Sequence, residues 1–298
     1  MKAPVLVMFI IFNYLNSHAQ EKDSTITEKE TKAKKIILPW FVERFKISAG
    51  GLYIINKTNI QVGVNGMEAT PIDGEKDLGI NKEVGTFLAN FQWRISRRSR
   101  ITLNYYNIKR NSNHILQKDI TFDDNTYLAN SSVYTFFNTH IYQFSYGYAI
   151  LSKPKYEAGV FIGTHIIGAK TGISLNGTSS GAVVSNNFGF TAPLPDLGLW
   201  GGFATSNRFA INADISYFAL TVNGSTGRLL AFNLTFTYKL VKQLDLSLGY
   251  SGLDFKVITT KKNVTGNFKW GYNGPLLAAN FSFGKKNWSH PLIEMPKL

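Results

Sequence analysis

Apolar and polar residues alternate with a period of two along most of the chain after Phe45. Since successive side chains of a strand point to opposite faces, each alternating stretch predicts a strand with one apolar face. The approximate spans of the ten predicted strands are 45–64, 83–96, 101–110, 131–150, 156–171, 188–203, 208–222, 228–241, 244–259 and 264–283. Eight or twelve strands are the alternatives, because the fourth span is long enough to divide and the first contains Gly50-Gly51.

Predicted hairpins test whether the alternation is consistent between neighbouring strands. Around Lys242, placing Tyr238 opposite Leu246 sets apolar residues against apolar residues on one face. The same register sets Lys239 opposite Asp245 on the polar face, as a candidate ion pair. For the hairpins around Arg98 and Ser152, the same test pairs Trp93 with Leu103, Phe91 with Tyr105, Tyr148 with Tyr156 and Phe144 with Val160.

Two further features separate a membrane barrel from a soluble sandwich with the same alternation. Aromatic residues of the apolar face lie near the short turns, as expected at a lipid interface. They are Trp93, Tyr148, Tyr156, Phe203, Phe209 and Tyr238. Short connections near Arg98, Lys153, Thr205 and Lys242 also alternate with longer ones at 65–82, 111–130 and 176–187. We therefore predict an all-β fold, a transmembrane antiparallel up-and-down β-barrel of about ten strands.

The composition agrees with a barrel. Aromatic residues make up 14% and hydrophobic residues 44% of the 298 residues, while the mean hydropathy is only −0.08. This combination is typical of strands in which alternate residues face lipid. The chain has no cysteine, which excludes disulfides and thiolate metal sites.

The N-terminal region has the features of a signal peptide. Lys2 precedes an apolar run of about a dozen residues, and small residues stand at Ser17 and Ala19. We expect a signal peptide over 1–19, a periplasmic leader over 20–44, the barrel over 45–284 and a tail over 285–298. The segment 36–45 is either a short element at the lower rim of the barrel or the lead-in to the first strand, and the lead-in is favoured.

Several stretches after the leader carry a family resemblance, above all Ala-Pro-Leu-Pro at 192–195 and Gly-Pro-Leu-Leu at 274–277. The full set is 77–80, 99–106, 120–124, 146–148, 192–199, 248–250 and 272–277. Together they resemble an uncharacterised family of Gram-negative outer-membrane barrel proteins. The resemblance implies the fold and an outer-membrane location, and it carries over no catalytic residues.

Pro193 and Pro195 fit this interpretation physically, because proline cannot donate in a strand ladder. They stand about nine to eleven residues from the turn near Thr205, roughly the length that crosses a bilayer. We expect both at the outer rim, in a bulge or a loop.

The charge balance is basic, with 32 Lys and Arg against 19 Asp and Glu and a net charge of +13. These residues are scattered among strand ends and turns, and no nucleic-acid motif is present. Basic surfaces also fit anionic lipid. The expected partners are outer-membrane lipid, lipopolysaccharide and the barrel-assembly machinery. We expect no nucleic acid, and the chain is expected to be a monomer.

Motifs for chemistry are sparse. The chain has no phosphate-binding Walker loop, dinucleotide fingerprint, His-Glu-x-x-His or nucleophile elbow, so no cofactor or metal is expected. His114, Asp123 and Asp124 share one long loop and can mimic an acid–base group. A solvated acidic turn with an unrelated histidine is the favoured interpretation.

The predicted inner face is polar. Its candidate site residues are Arg94, Gln143, Glu157, His165, Asp214, Lys239 and Asp245, while His140 is predicted on the lipid side. A narrow barrel is filled by its own side chains, which favours a structural network over a pore or ligand site. The leading hypothesis is a non-enzymatic barrel that is structural or interacts through its loops. A small passive channel is the alternative, and a lipid- or peptide-directed hydrolase is the further one.

Export should leave Gln20 as the first residue, because Ser17 and Ala19 supply the small residues that signal peptidase requires. N-terminal sequencing of the membrane fraction checks this. A mature protein that begins at Met1 would contradict it.

Overall fold

The computed structural model describes residues 38–64, 71–122, 125–176, 185–222, 224–261 and 264–285. Its strands are β1 (Phe45–Val64), β2 (Ile72–Asp73), β3 (Glu83–Arg94), β4 (Ser99–Ile115), β5 (Ile120–Phe122), β6 (Asn125–Tyr127), β7 (Ser132–Ser152), β8 (Tyr156–Leu175), β9 (Ser185–Ala204), β10 (Phe209–Val222), β11 (Ser225–Lys239), β12 (Leu244–Lys261) and β13 (Val264–Phe283). The predicted signal peptide, residues 20–37 of the leader and nearly all of the tail lie outside the described residues. Within the described ranges, no helix is long and apolar enough to cross a membrane.

Ten long strands form a closed antiparallel ring in chain order, from β1 through β3, β4 and β7 to β13. The last strand pairs with the first along nearly its whole length, from Phe45 opposite Phe283 to Val64 opposite Val264. The short β2 adds to β1, and β5 pairs with β6 as a separate hairpin. The predicted all-β barrel of ten strands is confirmed.

The outer face of the ring is apolar over a broad band. Phe236, Leu248 and Leu277 are neighbours on three adjacent strands, and their exposed fractions are 52%, 60% and 58%. The aromatic residues near the short turns are also on this face, with Trp93 and Tyr156 among them. A continuous apolar surface of this size is stable only in lipid.

One predicted hairpin register is confirmed and another is wrong by two residues. Tyr238 lies opposite Leu246 as predicted. Trp93, however, lies opposite Ile101 and not Leu103. The turn is tighter than predicted, because the N–H groups of Ile95 and Ser96 both donate to the Ser99 carbonyl. The side chains keep their faces, since a shift by two residues preserves the alternation.

The register around Ser152 is also wrong, by four residues. Tyr148 lies opposite Val160 and not Tyr156. The strands continue closer to the turn than predicted, and the register shifts between Ala149 and Leu151, which marks a β-bulge. Tyr148 and Val160 remain on the outer face.

The two prolines of β9 lie in a regular strand and not in the predicted bulge or loop. On the β8 side, Pro193 is opposite Ile166 and Pro195 is opposite Thr164. On the β10 side, the ladder ends at Leu197, opposite Tyr217, although both strands continue beyond it.

The direction of the backbone N–H groups explains why the ladder ends there. Ala204 donates its N–H to the Lys155 carbonyl, on the β8 side. Successive residues of an antiparallel strand direct these groups to opposite neighbours. Pro193 and Pro195 each stand an odd number of positions before Ala204, so their nitrogens face β10. Each proline therefore removes a donor that the β9–β10 ladder would need.

The depth of a charge on the outer face should set its cost. Leu248→Arg should destabilise the barrel by about 2–4 kcal/mol, because the side chain lies within the apolar band. Leu240→Arg is the matched control, at an exposed position beside a short turn, and should cost about 0–1 kcal/mol. Urea unfolding in lipid vesicles measures both. Equal costs would contradict the position of the band.

Candidate functional site

The half of the lumen nearest the short turns holds a polar cavity of about 220 Å³. Because outer-membrane barrels carry short turns at the periplasmic end, this is the periplasmic half. Charged and amide side chains from many strands line it, among them Lys46, Asn90, Gln92, Arg94, Arg100, Glu157, Asn212, Asp214 and Asn233. All seven candidate site residues from the sequence lie on the inner face, but they do not form one cluster.

The strongest contact in this region joins Arg94 of β3 to Glu157 of β8. The guanidinium donates two parallel hydrogen bonds to the carboxylate, at 2.7 and 2.6 Å. Both side chains are 1% exposed. A planar guanidinium matches a carboxylate in this bidentate geometry, and the pair satisfies two charges that would be costly to bury alone.

A layer of further polar contacts surrounds this ion pair. The Arg100 guanidinium lies 3.5 Å from the ring centroid of Trp200, which stabilises a cation away from water. Asn233 donates to the Asp214 carboxylate at 3.0 Å. Asn104 donates to Gln143 at 2.6 Å. These contacts link polar groups of several strands into one layer, although Arg94 Nε and the Trp200 indole N–H are buried without a hydrogen-bond partner among the described residues.

His165 is inside the barrel and His140 is outside it. His165 Nδ1 lies 3.2 Å from an oxygen of Asp196, and both side chains are almost fully buried. His140 lies on the opposite face of the wall, where Nδ1 is 3.2 Å from the Tyr105 hydroxyl. The two histidines are separated by the wall and cannot act together.

The predicted ion pair between Lys239 and Asp245 does not form. The two residues are directly opposite in the register, yet the Lys239 ammonium lies over the Trp40 ring, 5.2 Å from its centroid. Lys46 is close by and donates to the Phe41 carbonyl at 3.2 Å. The segment that contains Trp40 and Phe41 enters the mouth of the barrel and takes the lysine away from the carboxylate.

That segment, residues 38–44, packs at the periplasmic mouth. Phe41 and Val42 are buried against Ala204 and Ala210, and the Trp40 indole donates to the Ser206 carbonyl at 3.0 Å. The segment is thus a packed element at the lower rim, the interpretation that the sequence did not favour. Its apolar and aromatic residues were visible, but the partners that bury them come from the distant turn between β9 and β10.

The outer half of the lumen is apolar, which the sequence analysis missed. Inward-facing Ile54, Ile108, Phe137, Phe255 and Trp270 are all fully or almost fully buried. Two extracellular connections fold inward and complete this core. They contribute Ile72, Leu78 and Ile80 from one, and Leu116, Ile120 and Tyr127 from the other. We call residues 71–82, 116–122 and 125–131 the plug.

Arg110 of β4 fastens the plug to the wall. Its guanidinium donates to Glu75 and to the Thr58 hydroxyl, both at 2.7 Å, and lies 4.8 Å from the Phe137 ring centroid. Glu75 also accepts from the Thr58 N–H at 2.8 Å. Because β3 begins only at Glu83, the β1 backbone at Thr58 has no β3 partner, and the plug supplies its hydrogen bonds instead.

Of the possible acid–base group on this loop, the structure describes only the histidine. Asp123 and Asp124 lie outside the described residues. His114 is wedged beneath the plug, since a Cβ added to Gly79 would lie 2.7 Å from His114 Nδ1. Gly79 has φ 64°, a conformation that glycine adopts most easily. Among the described residues, no group of three or more His, Cys, Asp or Glu side chains is placed to hold a metal.

Comparison with solved structures identifies the fold. The chain is similar to the outer-membrane protease OmpT from Escherichia coli, with a TM-score of 0.52, 10% identity, and 82% of this chain and 100% of that chain covered. Weaker matches are Ail of Yersinia pestis (TM-score 0.33, 12% identity, 81% and 100% covered) and the Pseudomonas putida toluene transporter TodX (0.32, 9%, 83% and 92%). Neither a protein-family model nor a curated protein matches the sequence. Together with the apolar exterior, the fold makes this chain an integral outer-membrane β-barrel.

Breaking the buried ion pair should be more costly than removing it. Arg94→Met should destabilise the barrel by about 3–5 kcal/mol, because Glu157 is left charged and unpaired. Arg94→Met with Glu157→Met should recover most of that loss. A double-mutant cycle by urea unfolding measures the coupling.

Lys239→Met and Asp245→Asn provide the control cycle. These residues share a register position without an ion pair, so we expect a coupling of less than about 1 kcal/mol. Equal couplings in the two cycles would show that the Arg94–Glu157 contact does not stabilise the barrel.

Proposed function

We propose that the protein is a closed, non-conducting outer-membrane barrel that acts through its extracellular loops and its outer wall. The plug carries this proposal. Its apolar side chains pack against the inner wall above the polar cavity, and the segment 38–44 packs at the opposite mouth. Ions cannot cross an apolar layer of this kind without paying their full desolvation cost.

The two alternatives from the sequence lack this support. A passive channel requires a continuous aqueous path, and the described residues of the plug interrupt it. A hydrolase requires a base beside its substrate, whereas His114 is held beneath Gly79. The likeness to a protease concerns the fold, and it assigns no catalytic role to any residue of this chain.

We also place the chain with the uncharacterised barrel family that its sequence resembles. Both of the most specific stretches have a physical role in the wall. Pro193 and Pro195 end the β9–β10 ladder, and Pro275 lies where the β1–β13 ladder omits the pairs at Tyr53 and Ile54. As partners we propose outer-membrane lipid, lipopolysaccharide and the assembly machinery, with a monomer as the working state.

Planar bilayers test the closed lumen directly. The refolded full chain should produce no conductance steps, because the apolar plug interrupts its lumen. A refolded open porin is the positive control for insertion. Reproducible steps of uniform size from this protein would contradict the proposal.

Thiol labelling gives a second readout, since the chain contains no cysteine. Asn212→Cys places a thiol at the polar cavity, and it should stay unmodified by a membrane-impermeant maleimide. Lys82→Cys is exposed on the plug and should react quickly as the control. Equal labelling of the two thiols would show that the lumen is open to water.

A further inference from the structure

The outward residues of β11, β12 and β13 change from apolar to basic at one height of the wall. Below it, the neighbouring outward residues are apolar, as with Leu234, Tyr250 and Pro275. Above it, Arg228, Lys256 and Lys269 stand side by side on the three strands. The cations share the face of the apolar residues, because in each strand they are an even number of positions away. We call these three residues the cation row.

A hollow of about 1030 Å³ adjoins the cation row. Its lining includes Lys269 above, Lys57 beside Gly271, and Phe232 and Tyr250 below. Asp73, Glu75, Lys76 and Lys82 of the plug also line it. Gly252 and Gly271 are at outward positions of adjacent strands and place no side chain on the wall. The hollow therefore has an apolar lower part, its charged lining residues are of both signs, and the cation row lies at its upper edge.

Asp254 orders the cation row without neutralising it. Its two oxygens lie 3.3 Å from Arg228 and 3.9 Å from Lys269. Lys256, also on the outward face, makes no ion pair with any described residue. Three cations and one carboxylate leave a surplus of two positive charges at this place, so the row is complementary to an anion.

We propose that the cation row and the hollow bind one lipopolysaccharide molecule of the outer leaflet. Its phosphate contacts Arg228, Lys256 and Lys269, and an acyl chain lies over Phe232 and Tyr250. Arginine and lysine are the side chains best suited to phosphate. The row is at the end of the barrel that carries the long connections, which is the outer leaflet side. The proposal needs the outer-membrane location but not a closed lumen, so an open lumen would leave it intact.

Binding of fluorescent lipopolysaccharide to the refolded full chain in detergent micelles tests this site. Lys256→Gln with Lys269→Gln should weaken binding about tenfold, because each lysine near a phosphate contributes to the attraction. The matched control is Lys109→Gln with Lys170→Gln. It removes the same charge from the outer wall of β4 and β8, where Asn138 separates the two lysines, and should leave the affinity within about twofold. Equal weakening by the two variants would overturn the site.

Two further arms use the unaltered protein and identify the ligand chemistry. Dephosphorylated lipopolysaccharide should bind about tenfold more weakly than the native form, because the phosphate contacts are lost. Millimolar inorganic phosphate should not displace the lipid, since it lacks the acyl chain. Equal binding of the two lipids would overturn the phosphate contact, and displacement by inorganic phosphate would overturn the assignment to a lipid.

Discussion

Hydrocarbon offers no hydrogen-bond partners, so every backbone N–H and C=O in the membrane has to be satisfied within the wall. The pairing of β13 with β1 meets this condition by leaving no edge strand. The prolines respect the same constraint. The β9–β10 ladder opens only beyond Tyr217, and the next outward residue of β10 is Ala219, which neighbours Arg228 of the cation row. The unpaired groups therefore begin where the wall leaves the apolar band and enters the polar headgroup region.

The interior is divided into two halves that are stabilised by different interactions. The periplasmic half is polar, and its charges are removed from bulk water, so it depends on pairs such as Arg94 with Glu157. The outer half is filled with apolar side chains from the wall and the plug, and burial of apolar surface stabilises it. Arg110 is a charged residue within that half. It is buried in the apolar half because the plug brings Glu75 and the β1 wall brings Thr58 to its guanidinium.

Alternation along each strand was sufficient to predict the ring, because it depends only on neighbouring residues. The spans of β1 and β13 and the pairing of Tyr238 with Leu246 are as predicted. The registers around Arg98 and Ser152 were wrong because a shift by an even number of residues leaves both faces unchanged. Turn geometry and bulges decide between such registers, and the alternation contains neither.

The plug was not predictable for a related reason. Leu78, Ile80 and Leu116 lie in polar connections and have no periodic pattern, so nothing local marks them as buried. Their partners are inward residues of distant strands. Lys239 shows the same limit at the other mouth. The register places it opposite Asp245, but its ammonium lies over the ring of Trp40, which is remote in sequence.

The alternation of inward and outward side chains along each strand also explains why the basic residues of this chain are divided between the lumen and the outer face. Lys109 and Arg110 are consecutive residues of β4, yet Lys109 is exposed on the outer face and Arg110 is 1% exposed inside. The net charge of +13 is therefore not the property of a single surface. Inward cations such as Arg94 and Arg110 are used in ion pairs that hold the interior, and a loss there removes stability. On the outer face, Lys256 makes no ion pair with a described residue, and the pairs of Arg228 and Lys269 with Asp254 are exposed, so they contribute little to folding. A basic row that the fold does not need is available for a partner in the membrane.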